Sequence, residues 1–246
     1  MDLIEIAKQK AAWAAVDECI AVKPNNEQQV IGIGSGSTIV YAVERLGKRN
    51  AEENLNLICI PTSLQATELI EKAGLTLGDL SKYPEIDITI DGADEVDADL
   101  NLIKGGGACH TREKIVAANS KRLVIICDYR KDSKLLGQQW LSGIPVEVLP
   151  FAISPVMKAL IKIDGNPVLR MGKDKAGPVI TDNCNVVLDV DFGLINIDKV
   201  FELNQQIKMI AGVIETGLFV GMAERVYIGQ ADGSVIMRFP PSVVLT

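Results

Sequence analysis

The chain of 246 residues is 48% apolar and 23% charged, a composition that supports a large core and excludes global disorder. Its formal charge of -7, from 25 basic against 32 acidic side chains with no basic run, argues against nucleic-acid binding by phosphate neutralisation. A small anionic ligand stays compatible with this balance, because a few cations and a helix N-terminus suffice for one phosphate.

The N-terminal Met1-Asp2-Leu3-Ile4-Glu5 lacks the basic-then-apolar pattern of a signal peptide, and no apolar run approaches bilayer length. Residues 3–22 then read as a helix with Ile6, Trp13, Val16 and Ile20 on one stripe. A turn at Pro24 leads to a strand at 29–31, the loop Gly32-Ile33-Gly34-Ser35-Gly36-Ser37-Thr38, and a helix expected to end near Gly47. Leu55–Ile60 is the next strand, followed by Pro61-Thr62-Ser63 and a helix through about Lys72. A third strand at 86–90 runs into the acidic turn Asp91-Gly92-Ala93-Asp94-Glu95. Beyond Lys104-Gly105-Gly106-Gly107 come a helix at 111–121 and the continuous apolar run Leu123–Cys127, typical of a strand buried on both faces. Strand and helix alternate throughout, which predicts an α/β fold with a doubly wound, mostly parallel sheet and ligand groups at its carboxyl end.

The pattern changes near Gly143. Strands at 145–149, 167–171, 185–190 and 213–220 with helices at 153–163 and 196–208 make a ferredoxin-like βαββαβ order. A closing hairpin, Arg225–Ile228 and Val235–Phe239, is placed to rejoin the first sheet. The expected division is a large domain over 1–142, completed by 221–246, and a small α+β domain over 143–220.

Five scattered cysteines without a CxxC pair read as free thiols in a reducing compartment, so the expected location is cytoplasmic and a zinc site is not expected. The single histidine, His110, removes most Ser-His-Asp, Cys-His and His-metal chemistries unless it serves itself.

The loop at 32–38 follows a strand and opens a helix, so its amides can face an anion. The third glycine of a dinucleotide pattern falls on Ser37, and there is no Gly-Lys-Ser/Thr of a Walker loop. A monoester phosphate site, a structural turn and a nucleotide site all remain open. Asp97, Asp99 and Asn101 have calcium-loop spacing, yet Leu102 and Ala108 stand where glycine and glutamate are required. Asp97 and Asp99 are therefore expected in a solvated loop, whereas Asp91 and Asp94 sit at a strand end where ligands bind. Three successive glycines at 105–107 suggest close approach of a ligand to the main chain, or a hinge. Glu113 is either a base or an ordinary first-turn glutamate. His110 reads as a cap or a pocket wall, and Cys109 as a small apolar residue.

Taken together these stretches resemble A-type ribose-5-phosphate isomerases, and most closely the eukaryotic members. The matches are GIGSGST at 32–38, PTSLQA at 61–66, DGADEVD at 91–97, KGGGACHTREKIVA at 104–117, DYRKDSKLLG at 128–137, PVEVLP at 145–150, AGPVITDNCNVVLDV at 176–190 and ETGLF at 215–219. The resemblance implies a Rossmann-like domain with a smaller α+β domain, assembled as a homodimer or homotetramer. It implies exchange of ribose 5-phosphate and ribulose 5-phosphate through an enediol(ate), in the non-oxidative branch of the pentose phosphate pathway, with no metal or cofactor. It makes Glu113 the general base and puts Ser35, Gly36, Ser37, Thr38, Asp91, Gly92, Ala93, Asp94, Lys104, Gly105, Gly106, Gly107 and Lys131 on the substrate. Lys104 and the glycine amides suit the developing oxyanion, and Asp91 and Asp94 a relay between hydroxyls. His110, Cys184 and Ala211 depart from the usual apolar residue, glycine and proline of the family. Two other readings share the fold by analogy: a non-catalytic sugar-phosphate sensor, which would carry a DNA-reading module, and a coenzyme A transferase, which would form a thioester on a glutamate.

Overall fold

A computed structural model describes residues 2–241. In chain order its elements are α1 (Leu3–Cys19), β1 (Gln29–Ile33), α2 (Ser37–Glu53), β2 (Leu57–Pro61), α3 (Leu64–Lys72), β3 (Thr76–Leu77) and β4 (Ile88–Gly92). They continue with β5 (Glu95–Val96), β6 (Leu102–Ile103), α4 (His110–Ala118), β7 (Leu123–Asp128), β8 (Ile144–Val148), α5 (Ile153–Ile161) and β9 (Asn166–Leu169). The last are β10 (Val186–Asp191), α6 (Ile197–Lys208), β11 (Val213–Thr216), β12 (Leu218–Phe219), β13 (Arg225–Gly229) and β14 (Val235–Arg238). The chain divides into two compact units. The first takes the chain up to Ala93, Arg112–Arg130 and the chain from Met222; the second takes Asp94–Thr111 and Lys131–Gly221.

The first unit is built on a seven-stranded sheet of order β14-β13-β7-β4-β1-β2-β3. Its pairings are parallel except the terminal hairpin of β13 with β14, and that hairpin rejoins the sheet through β13 lying parallel to β7. All six residues of β7 are buried, consistent with a strand covered on both faces. Helix α1 buries Ala7, Ala11, Ala12, Ala15, Val16 and Cys19. The expected stripe through Trp13 is thus incorrect: Trp13 is 37% exposed, with the Arg45 guanidinium 5.7 Å from its ring centre. Small side chains win this face because the helix lies close to the sheet. A Cβ on Gly229 of β13 would fall 1.9 Å from the Ala7 carbonyl oxygen. Helix α2 also runs past Gly47 to Glu53. Gly47 is there for packing, since its Cβ would meet the Ala73 carbonyl at 2.9 Å.

The second unit holds a four-stranded antiparallel sheet of order β11-β8-β10-β9, the order of a ferredoxin-like βαββαβ unit, and a three-stranded sheet β12-β6-β5. The strand expected over 213–220 is two strands in two sheets, β11 on β8 and β12 on β6. Gly217 makes the switch. Its amide donates to the Pro145 carbonyl at 2.6 Å, its carbonyl accepts from the Lys104 amide at 2.8 Å, and a Cβ there would sit 2.2 Å from the Lys104 oxygen. Asp94–Thr111 belongs to the second unit because β6 pairs with β12 and β5 pairs with β6. The ends of the expected large domain, residues 1 and 242–246, lie outside the described residues.

Candidate active site

In the first unit the site begins with strand register. Ile33 of β1 lies beside Ile90 of β4, so both strands end together and the glycine loop meets the acidic turn at the sheet's carboxyl edge. The Gly34 amide donates to the Ile90 carbonyl at 2.9 Å, and a Cβ on Gly34 would lie 1.9 Å from Asp91 Oδ1 and 2.7 Å from Asp91 Cα. Only a residue without a side chain lets the loop close on this carboxylate. Asp91 is fully buried and its Oδ1 accepts from the Ser35 amide at 3.2 Å and the Gly92 amide at 2.7 Å. Gly34→Ala is therefore expected to destabilise by about 1–3 kcal/mol or more. Thermal unfolding checks this, and an unchanged midpoint would refute the close fit.

Helix α2 starts at Ser37 with Gly36 as N-cap, at φ 108, a conformation L side chains avoid, and no side chain caps the helix. Ser37 and Thr38 thus open the helix at the end of the glycine loop, where its first-turn amides have no partner within the helix. Ser35 Oγ donates to Ser63 Oγ at 2.6 Å and lies 2.8 Å from Thr62 Oγ1, while Gln65 Oε1 accepts from the Gly36 amide at 2.8 Å. Thr62, Ser63 and Gln65 were not assigned a role from sequence, although they follow a strand parallel to β1 and so reach the same sheet edge.

Glu113 lies in the first turn of α4 and is 4% exposed. Three residues on, Val116 shares its face and packs with Ile58, Ile60 and Ile86. Gly32 admits that contact, because a Cβ there would lie 2.7 Å from Val116 Cγ1. The helix is thereby seated on the sheet with its glutamate on the covered side.

In the second unit Asp94 Oδ2 accepts from the Gly106 amide at 2.6 Å. That amide is thus engaged, which leaves Gly105 and Gly107 as the expected oxyanion donors. Gly105 takes φ 101, and a Cβ there would meet His110 Nδ1 at 2.6 Å. His110 is fully buried, 3.4 Å from the Glu215 carbonyl through Nε2, and so packs directly against the Gly105 backbone. Lys104 is buried with its Nζ 5.3 Å from the Phe219 ring centre, and Lys131 Nζ stands at the same distance over Trp140. Ser35, Asp91 and Gly92 are hydrogen-bonded together in one unit, and Asp94 and Gly106 in the other. Gly36, Ser37, Thr38 and Ala93 flank the first group, and Gly105 and Gly107 the second.

Two carboxylates of the second unit organise loops. Glu95 is fully buried and accepts from the Ser133 hydroxyl at 2.7 Å and from the amides of Gly137, Gln138, Gln139 and Trp140. Glu147 meets Thr111, Thr181, Asn183 and Asn185. Burial alone would push its carboxyl up, but hydrogen bonds from those four residues outweigh it and hold the group below the usual value. Asp97, expected in a solvated loop, is instead fully buried and accepts from the amides of Asp99 and Asn101 and from the Asn101 side chain. Burial pushes its carboxyl up, with the Asn101 bonds pulling the other way. The departure at Cys184 also has a reason: its φ of 62 is the region glycine favours.

The sequence model of the family described as Ribose 5-phosphate isomerase A (phosphoriboisomerase A) matches residues 58–233. The human protein named ribose-5-phosphate isomerase is 58% identical over 242 residues, covering 98% of this chain and 76% of its own. The structure of ribose 5-phosphate isomerase A from Methanocaldococcus jannaschii superposes with a TM-score of 0.85 at 41% identity, covering 95% of this chain and 98% of that one. A D-ribose-5-phosphate isomerase in complex with phospho-erythronic acid gives 0.89 at 35% identity, over 97% and 100%. With the family's model matched over residues 58–233 and relatives of 35–58% identity alike along nearly all of its length, the chain belongs to the ribose 5-phosphate isomerase A family.

Proposed function

We propose that the chain interconverts D-ribose 5-phosphate and D-ribulose 5-phosphate through an enediol(ate). The observation that carries this reading is the end-to-end likeness to a protein bound to phospho-erythronic acid, a ligand with a phosphate at one end and a carboxylate at the other. Glu113 takes the proton from C2 of the open-chain aldose and returns it to C1, while a hydroxyl proton passes from O2 to O1. One carboxylate on one face of the planar intermediate performs both transfers, a role that typically contributes about 10²–10⁴-fold. Lys104 and the amides of Gly105 and Gly107 hold the oxygen as it gains charge. Asp91 and Asp94 pass hydroxyl protons and assist ring opening. Ser35, Gly36, Ser37, Thr38 and Lys131 hold the phosphate, whose distance from the reacting carbons lets its binding energy orient the sugar, with Gly92, Ala93 and Gly106 beside it.

The lysine and amides supply the positive potential a metal would otherwise provide, so the reaction is read as metal-independent and cofactor-free. Its product and substrate belong to the non-oxidative pentose phosphate pathway, and the location is read as cytoplasmic. A homodimer or homotetramer is supported by apolar side chains left open on the second unit, such as Phe151 at 99% and Met209 at 83% exposure. The domain division at 143–220 is supported by the antiparallel sheet and helices α5 and α6, all of which lie within those limits. The test is an isomerase assay on ribose 5-phosphate with a chelator present. Ribulose 5-phosphate should form at the same rate with and without it. No product would overturn the function, and activity lost in chelator and restored by magnesium would overturn metal independence.

A further inference from the structure

The lysine–triglycine loop is gripped from behind by a residue that no motif marks. Arg170 Nη1 donates to the carbonyls of Gly105 at 2.9 Å and Gly106 at 3.1 Å. The other edge of the guanidinium is held in a fork by Asp189, Nε to Oδ2 at 2.8 Å and Nη2 to Oδ1 at 2.5 Å. Both backbones are anchored. Asp189 is paired with Val168 inside the ladder of β10 with β9, and Arg170 extends that ladder with its amide on the Val187 carbonyl at 2.9 Å. The guanidinium plane is therefore set by a sheet.

A trans peptide points its N–H opposite to its C=O. Two successive carbonyls converging on one guanidinium nitrogen thus turn the following two amides, of Gly106 and Gly107, away from Arg170. The Gly106 amide proves the direction by donating to Asp94 Oδ2 at 2.6 Å. Beside Gly107 a Cβ would meet nothing within 4 Å, so open space adjoins it. Paired amides on one side of a chain make an anion-binding concavity.

We infer that Arg170, clamped by Asp189, is a positioning residue for the isomerisation: it sets the peptide planes of Gly105 and Gly106 so that the Gly107 amide meets the oxyanion of the intermediate. This rests on the proposed function above. Lysine cannot replace it, having no planar fork to hold Asp189 and both carbonyls at once.

The test compares wild type, Arg170→Lys and Asp189→Asn as full chains, each checked for folding by circular dichroism. Arg170→Lys should lower kcat by about 10- to 100-fold, because a misaimed oxyanion donor loses much of its effect, while Asp189→Asn should lower it by about 10-fold. KM for ribose 5-phosphate should stay within about threefold, and inhibition by phospho-erythronic acid should weaken in step with kcat. Inorganic phosphate, which lacks the carboxylate, should inhibit all three alike. A folded Arg170→Lys with kcat within about twofold of wild type overturns the inference, as does equal weakening of both inhibitors. Should the variants not fold, the wild-type protein decides the matter by NMR. The Gly107 amide signal should move to lower field on adding phospho-erythronic acid, and an unmoved signal overturns the inference. An inactive wild type would instead sink the proposed function.

Discussion

Glu113→Gln should bind ribose 5-phosphate about as well as wild type and lose about 10²–10⁴-fold in kcat. The substitution keeps the size of the side chain and its ability to accept a hydrogen bond, but removes the oxygen that takes the proton. Its buried place in the first turn of α4, a helix seated through Val116 on Gly32, gives the amide no reason to reorganise the helix. The far-ultraviolet circular dichroism should therefore be unchanged. A second readout isolates the step: washout of deuterium from C2 of labelled substrate should slow by the same factor as net turnover. Near-normal turnover would remove Glu113 as the base. Fast washout with slow turnover would place its role after proton abstraction.

The largest stability effect is expected at Glu95. Its Oε1 accepts from Ser133, Gln138, Gln139 and Trp140, and its Oε2 from the Gly137 amide. Glu95→Gln puts an NH2 group against at least one of these donors, and a buried donor left without an acceptor loses its hydration with nothing in return. A cost of about 3–5 kcal/mol follows, since bonds to a carboxylate contribute about 1.5–3 kcal/mol each and orphaned donors add to the loss. The unfolding midpoint should fall by on the order of 10 °C. Hydrogen exchange should accelerate at the amides of Gly137 to Trp140 before other amides of the second unit. A midpoint within about 2 °C of wild type would show that water or another acceptor replaces the carboxylate. Because Trp140 carries the Lys131 ammonium over its ring, the same variant should also raise KM if Lys131 holds the phosphate.

Several elements were legible because they are written in local periods. The continuous apolar run at 123–127, the alternation at 86–90 and the turn signals around the closing hairpin name strands without knowledge of their partners; β7, β13 and β14 are where they were expected, and β4 is shifted two residues on, to Ile88–Gly92. The glycine loop and acidic turn were legible for the same reason: each directly follows a strand, and parallel strands bring such loops to one edge. Where the local period was followed too literally, packing overruled it. Trp13 fits a helical stripe, but a helix lying close to a sheet needs alanine on its covered face. Gly47 is a helix-stop signal by composition, yet it serves close approach to Ala73.

What the order of residues determined by itself is the α/β alternation, the family and the chemical types lined up at the carboxyl ends of the strands. What only the tertiary structure decided is which groups hold those types in place. Gln65 reaches the Gly36 amide from 29 residues away, Glu95 reaches Trp140 across 45, and Arg170 reaches the carbonyls of Gly105 and Gly106 across 65 and 64. Such partnerships leave no local trace, because a buried acceptor or donor is satisfied by whatever the fold brings near it, and sequence distance does not enter that energy.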